Sequence, residues 1–126
     1  SIDQSILNAG RGNAATIVQN GNSNAAAAAQ IGSYNRTTIA QTGNQNVVVS
    51  EVEGYNTESE INQRGNRNRV EQEIDRDNRR YTVDQMGNNN RLVQRETTGN
   101  GSGYGVEMRG NCIQVMVEQG RVTRLP

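Results

Sequence analysis

Hydrophobic and polar residues alternate along most of this chain, in short segments that are separated by clusters of Gly and Asn. Counting by twos places apolar residues and Gln on one side of each segment, as in Ile39-x-Gln41 and Val48-x-Ser50. A period of two is typical of a β-strand whose two faces meet different surroundings. Gly and Asn accept positive φ, so the clusters predict tight turns. The pattern therefore predicts an all-β chain of short strands.

The strand segments recur with a period of 22 residues. The motif Gln-x-Gly-x-x-Asn begins at Gln19, Gln41, Gln63 and Gln85, and weaker copies lie midway between these positions. A fixed period of this kind is typical of a solenoid, in which each repeat stacks on the previous one. We predict a β-solenoid with two short strands per 22-residue rung, stacked parallel and in register as in cross-β structure.

Residues one period apart should lie above one another in such a stack. A column of amides can bond upward and downward, because each amide carries both a donor and an acceptor. We expect Gly residues at the turns and three inward ladders. The predicted stacking ladders are Gln19, Gln41, Gln63 and Gln85, then Asn24, Asn46, Asn68 and Asn90, then Ile17, Ile39, Ile61 and Val83, with turns at Gly21, Gly43, Gly65 and Gly87.

The composition makes these ladders important for folding. Only 32% of the residues are hydrophobic, the mean hydropathy is −0.85, and the chain contains 18 Asn and 11 Gln. Such a composition usually indicates disorder or a Gln/Asn-rich segment that is prone to β-aggregation. The regular repeat favours order, because amide ladders and backbone pairing can replace part of an apolar core.

Charges lie mainly on the face opposite to the ladders. From Glu51 to Arg91 the charged residues have the outward parity, except Arg76 and Arg79 near a predicted turn. Arg36, Glu58 and Arg80 are 22 residues apart, which predicts an alternating charge ladder on the outer face. Thirteen acidic and thirteen basic residues cancel, so we expect no nucleic-acid partner. No apolar run of the roughly 18 residues that span a bilayer occurs, so we expect no membrane-spanning segment.

The sequence indicates one solenoid domain over residues 1–126, with degenerate repeats after about residue 91. After Gln85 the next in-phase glycine is Gly99 and not residue 98, which predicts an insertion of one residue. No pattern of a capping helix is present at either end. We therefore expect open strand edges near residues 2–8 and near residues 115–119.

The residue types for catalysis are scarce. The chain has no His, and Cys112 is its single cysteine, so the usual general base and a Cys–His pair are missing. The carboxylates of Glu71, Glu73 and Asp75 share one strand face and are interpreted as surface charge. We predict no enzyme activity, no cofactor and no metal site. Cys112 is interpreted as a passive residue, with crosslinking between chains as the alternative.

The repeat resembles that of the curlin family, whose members are the subunits of curli fibres. The family unit reads roughly Ser, five residues, Gln-x-Gly-x-Gly-Asn-x-Ala, three residues, Gln. The first Gln, the first Gly and the Asn are present in all four strong repeats, and the similarity extends over about residues 2–121. The Ala is present only at Ala26, and the closing Gln is kept at Gln30.

The resemblance implies a structural protein that self-assembles end to end into extracellular amyloid fibres of the bacterial biofilm matrix and serves adhesion. It implies that the partners are further copies of the chain in a head-to-tail homopolymer, a nucleator subunit and a dedicated outer-membrane secretion pore. Two alternatives stay open. The chain could be a minor curlin that nucleates or anchors such fibres, or a capped monomeric solenoid that binds a ligand.

Overall fold

The computed structural model describes residues 2–97, 103–119 and 121–124 of the chain. Within these residues the fold consists of strands, and no helix is present. The strands are β1 (Ile2–Ala9), β2 (Ala14–Asn22), β3 (Asn24–Ser33), β4 (Arg36–Asn44), β5 (Val47–Tyr55), β6 (Glu58–Asn66), β7 (Arg69–Asp75), β8 (Arg80–Asn88), β9 (Arg91–Glu96), β10 (Gly105–Asn111), β11 (Gln114–Glu118) and β12 (Arg121–Arg124).

The strands form two sheets that face each other across the core. The seven-stranded sheet has the order β1-β3-β5-β7-β9-β11-β12, and the five-stranded sheet has the order β10-β8-β6-β4-β2. The chain thus enters the two sheets alternately, and each pair of strands forms one rung. All the neighbours from β1 to β11 are parallel. The prediction of a parallel β-solenoid of about five rungs is confirmed.

The register follows the sequence period. Ile17 pairs with Ile39, and Gln19 pairs with Gln41, each 22 residues apart. At the pairing of β10 with β8 the separation becomes 23 residues, since Gly105 lies opposite Thr82. This shift confirms one extra residue between the two strands. The insertion was predicted between Gln85 and Gly99, and Gly99 itself lies outside the described residues.

The stack ends differently from the sequence prediction at its C-terminal side. We expected residues 115–119 to form an open edge. Instead β11 lies between β9 and β12, and β12 pairs with it antiparallel, with Val117 opposite Val122. The prediction of an open edge there is wrong. The chain reverses at Gln119, which has φ of 50°, and the returning strand covers β11.

One line of turns repeats the same backbone conformation on successive rungs. Ser23, Gln45 and Arg67 all have φ near 60°, at equivalent positions of successive repeats. A few residues earlier, Gly43 has φ of 120°, and a Cβ built there would lie 1.8 Å from the carbonyl oxygen of Gly65. The first conformation is tolerated by polar residues, whereas the second requires glycine.

The core is a narrow layer between the two sheets. Its larger cluster contains Ile39, Ile61, Val83, Val48, Val70 and Leu92, all at most 2% exposed. Polar residues are buried beside them in each strand from β3 to β9. The side-chain alternation in each strand therefore determines which residues reach this layer.

Candidate functional site

The Gln ladder runs through the buried layer of the five-stranded sheet. The Nε2 of Gln19 donates to the Oε1 of Gln41 at 2.7 Å, and Gln41 donates in the same way to Gln63 at 2.9 Å. Gln63 donates to Gln85 at 3.0 Å. The last three residues are fully buried, and Gln19 on the first rung is partly buried. Each amide therefore has its partner on the next rung.

The same amides also connect the two sheets. Gln41 donates to the carbonyl oxygen of Ala25 at 2.9 Å, and Gln63 donates to that of Val47 at 3.0 Å. These carbonyl groups begin the facing strands. A glutamine on this column thus satisfies a backbone acceptor that faces the core as well as the next amide. This double role explains how a buried Gln can be stable in a solenoid core.

The Asn ladder connects the turns of successive rungs along one side of the solenoid. Asn46 donates from its backbone N–H to the Oδ1 of Asn24 at 3.0 Å, and Asn68 donates to Asn46 at 3.1 Å. The Nδ2 of Asn46 donates to the carbonyl oxygen of Gly65 at 2.9 Å. Asn90 repeats the pattern at the fourth repeat. Each Asn thereby ties its own turn to the rungs on both sides.

Two further amide ladders were not predicted. One runs along exposed turn positions, where the backbone N–H of Asn22 donates to the Oδ1 of Asn44, and this bond recurs at Asn44, Asn66 and Asn88. In the other, the buried Gln72 donates to the Oε1 of Gln94 at 2.6 Å. The signal for both ladders was the same 22-residue spacing.

The aliphatic ladder has one incomplete end. Ile39, Ile61 and Val83 are at most 2% exposed, whereas Ile17 on the first rung is partly buried. In the other sheet, Ile6 has the inward parity but is 47% exposed, because β1 is an edge strand. The inward columns therefore continue to the N-terminal edge of the stack and are only partly covered there.

The sequence interpretation missed a buried polar cluster near the C-terminal end. Glu96 has the inward parity, is 4% exposed and forms a hydrogen bond with Tyr104. The ring of Tyr104 contacts that of Tyr81, with centroids 5.1 Å apart. Burial, followed by the bond to Glu96, raises the pKa of Tyr104 well above its ordinary value. Burial is also the main reason that the pKa of Tyr81 is raised.

The outer face carries ion pairs between neighbouring rungs. Arg36 lies opposite Glu58, and Glu58 lies opposite Arg80, as the period predicts. The Nε of Arg80 is 3.9 Å from a carboxylate oxygen of Glu58, and its Nη2 is 3.8 Å from Glu60. These side chains are exposed, so each pair contributes little to stability.

The remaining candidate residues are on the surface. Glu71 and Glu73 face outward from β7 and lie near arginines of the same or the next rung. Cys112 is exposed, at a turn position with φ of 59°. The described residues contain no group of three potential ligands that could hold a metal ion. No helix in the described part of the chain is long and apolar enough to cross a membrane.

A comparison with protein families gives one match. Residues 10–43 match the family model of the curlin associated repeat. This segment includes β2, β3 and most of β4. It contains the first strong copy of the motif, from Gln19 to Asn24, and the Gln and Gly of the second, Gln41 and Gly43. No curated protein and no solved structure matches the chain. The chain is thus a β-solenoid that carries the curlin associated repeat, and its resemblance to the curlin-repeat family is confirmed over residues 10–43.

Proposed function

We propose that this chain is a structural subunit of an extracellular curli-type fibre in a bacterial biofilm matrix, where the fibre serves adhesion. The subunits join end to end through the strand edges of the solenoid and form a homopolymer. On this proposal the chain leaves the cell through a dedicated outer-membrane pore and meets a nucleator subunit outside. It performs no catalysis and needs no cofactor.

The observation that carries the proposal is that the inward ladders reach an edge of the stack. β1 and β2 are the edge strands of the two sheets on the N-terminal side. Ile6 and Ile17 stand on inward columns there and are partly exposed. An edge of this kind offers unpaired backbone groups together with an apolar strip, and both favour the addition of another strand.

The symmetry of such a contact favours a filament. A subunit that adds its C-terminal end to the N-terminal edge of another uses two different surfaces. A heterologous contact that does not close on itself gives an open linear polymer. Charged side chains on the outer face, such as Glu58, Glu71 and Arg80, then limit lateral aggregation between filaments.

Electron microscopy and fibre diffraction of the purified chain at neutral pH test this function. We expect unbranched fibres with a meridional spacing of about 4.7–4.8 Å, which is the spacing of stacked strands. Assembly should begin after a lag, and fragments of mature fibre should shorten that lag. A soluble monomer that stays indifferent to fibre fragments would contradict the proposal and favour a monomeric binding solenoid.

A second candidate function is that of a minor curlin that nucleates or anchors fibres. The specific observation in its favour is β12, which covers the C-terminal edge of one sheet. A subunit with one covered end is suited to a position at the end of a fibre. Gold labels on this chain, mixed with an excess of a major curlin subunit, distinguish the two functions. Labels along the fibre indicate a structural subunit, and labels at one fibre end indicate the minor role.

A further inference from the structure

We propose that the hairpin of β11 and β12 occupies the place that β1 of a second copy takes in the fibre, so that each subunit blocks its own C-terminal edge until the hairpin leaves β9. This inference rests on the proposed function as a fibre subunit. It adds the partner, which is a second copy of this chain, and the contact that controls its addition.

The order of strands at the C-terminal end determines where a second copy can add. In every rung a strand of the seven-stranded sheet is followed by a strand of the five-stranded sheet. The last complete rung consists of β9 and β10, and β10 is an edge strand in the described residues. A second copy continues both sheets only if its β1 lies on β9 and its β2 lies on β10. The position on β9 is taken by β11.

β11 and β1 match in register. Gln4 pairs with Ala26 on β3, and Val115 pairs with Leu92 on β9, which are equivalent positions of the repeat. By the same alignment Ile6 is equivalent to Val117. Both are aliphatic and have the inward parity. Val117 is 1% exposed, whereas Ile6 is 47% exposed in the free chain. β11 thus fills the apolar position that Ile6 of a second copy would fill.

β1 and β11 also carry an amide at the same end. Asn8 accepts a hydrogen bond from Gln30 at its end of β1. At the equivalent end of β11, Gln119 is hydrogen bonded to Thr97 through its Oε1 and its Nε2, at 3.1 and 2.9 Å. An amide therefore closes each strand at the same column. When β1 of a second copy takes the place of β11 on β9, it supplies the same three contacts. These are backbone pairing, an inward aliphatic side chain and an amide at the end of the strand.

The exchange also adds strand pairing that the free chain lacks. β2 of the second copy would lie on β10 and pair with an edge that is open in the described residues. Its Ile17 would cover Val106, which is partly buried, and its Gln19 would stand above Met108. Gln85 already donates to the sulfur of Met108 at 3.6 Å. Displacement of the hairpin is then the slow step, and pairing on β10 favours the product.

A reversible disulfide between β9 and β11, which locks the hairpin in place, tests the proposal in the full chain. Val93 and Met116 are neighbours on β9 and β11, at an outward and partly exposed column. Strands lie about 4.8 Å apart, which suits a disulfide between these positions. We would combine Val93→Cys and Met116→Cys with Cys112→Ser, and measure elongation from fixed amounts of fibre fragments. Elongation should fall at least about tenfold when the lock is oxidised and recover when it is reduced.

The matched control places the lock inside the stack. Val49 and Glu71 are neighbours on β5 and β7 in the same outward column. The pair Val49→Cys and Glu71→Cys, also with Cys112→Ser, joins strands that stay together during growth. Its oxidation should change elongation by less than about twofold. Equal elongation with the hairpin locked and unlocked would overturn the inference, while fibres themselves would still support the proposed function.

A second variant needs no disulfide. Val117→Ala removes two methyl groups that hold β11 on the core, so elongation should become roughly three- to tenfold faster. Val70→Ala makes the same change in the centre of the same cluster and should give no acceleration. Slower or unchanged growth of Val117→Ala would contradict the inference. If neither the native chain nor any variant forms fibres, the proposed function fails, and the inference fails with it.

Discussion

Gln41 and Gln63 are 22 residues apart in the sequence and 2.9 Å apart in space, measured from the Nε2 of the first to the Oε1 of the second. Both side chains are fully buried. The pair shows how a chain with few hydrophobic residues builds a core. The amide ladder supplies vertical contacts between rungs, and its bonds to backbone carbonyl groups, such as that of Ala25, hold the two sheets together.

Replacement of Gln41 by leucine should strongly destabilise the fold. Leucine has a similar volume, but it removes the donor to Gln63 and to the carbonyl of Ala25, and the acceptor for Gln19. Each buried polar group left without its bond costs about 1–3 kcal/mol. We expect a loss of about 3 kcal/mol or more in the free energy of unfolding, measured by denaturant titration.

Thr42→Leu is the matched control for this change. Thr42 is exposed on the neighbouring outward position of β4, so its replacement should alter the unfolding free energy by less than about 0.5 kcal/mol. Equal losses for Gln41→Leu and Thr42→Leu would contradict the importance of the ladder. Fibre elongation should be slowed by the first change alone.

Gly43→Ala should prevent the close approach of successive turns. The new Cβ would lie 1.8 Å from the carbonyl oxygen of Gly65, and the residue would keep a φ of 120°. We expect a loss of at least about 3 kcal/mol in unfolding free energy. The comparison is Gln45→Gly, at φ of 61°, which relieves a left-handed conformation and should change stability by no more than about 1 kcal/mol. Thermal unfolding by circular dichroism separates the two outcomes.

The exposed charge ladder should have only a small effect. Glu58→Arg places a third arginine in register, between Arg36 and Arg80. The pairs are exposed and long, at 3.8–3.9 Å around Arg80, so we expect a loss of about 1 kcal/mol or less. The loss should shrink in about 1 M salt because the charges are screened. A larger loss that does not respond to salt would indicate a role for Glu58 beyond this ladder.

The tyrosine cluster should make the fold sensitive to high pH. Burial raises the pKa of Tyr104 above its ordinary value of 10.0. The folded chain therefore holds this proton more tightly than the unfolded chain does. The stabilisation is complete below about pH 10 and is lost as the pH rises from there toward the folded pKa. We expect the unfolding free energy to decrease progressively as the pH rises above about 10.

Tyr104→Phe should flatten this alkaline decrease. The variant loses the bonds to Gln94 and Glu96, so it starts from a lower stability at neutral pH. Its stability should nevertheless fall less steeply with rising pH, because only Tyr81 of the pair still titrates. Tyr34→Phe, at an exposed ring, is the control and should keep the native slope. An unchanged slope in Tyr104→Phe would contradict this assignment.

Much of the fold follows from the repeat itself. The alternation around Ile39 and Gln41 predicted which side chains face the core, and the period predicted that each lies above its equivalent. Local rules were sufficient for the inner rungs, because each of them has equivalent neighbours above and below. Even the extra residue before β10 was visible as a shift in the repeat.

The sequence by itself determined the solenoid, its parallel register and the residues that share a column, since a period of two within strands and of 22 between them leaves one consistent stack. Only the tertiary structure decided what happens where the repeat weakens. Glu96 is buried where Tyr104, directly before β10, provides its hydrogen bond. The antiparallel return of β12 depends on pairing with β11. Neither contact has an equivalent in the preceding rungs, so the period carries no information about them.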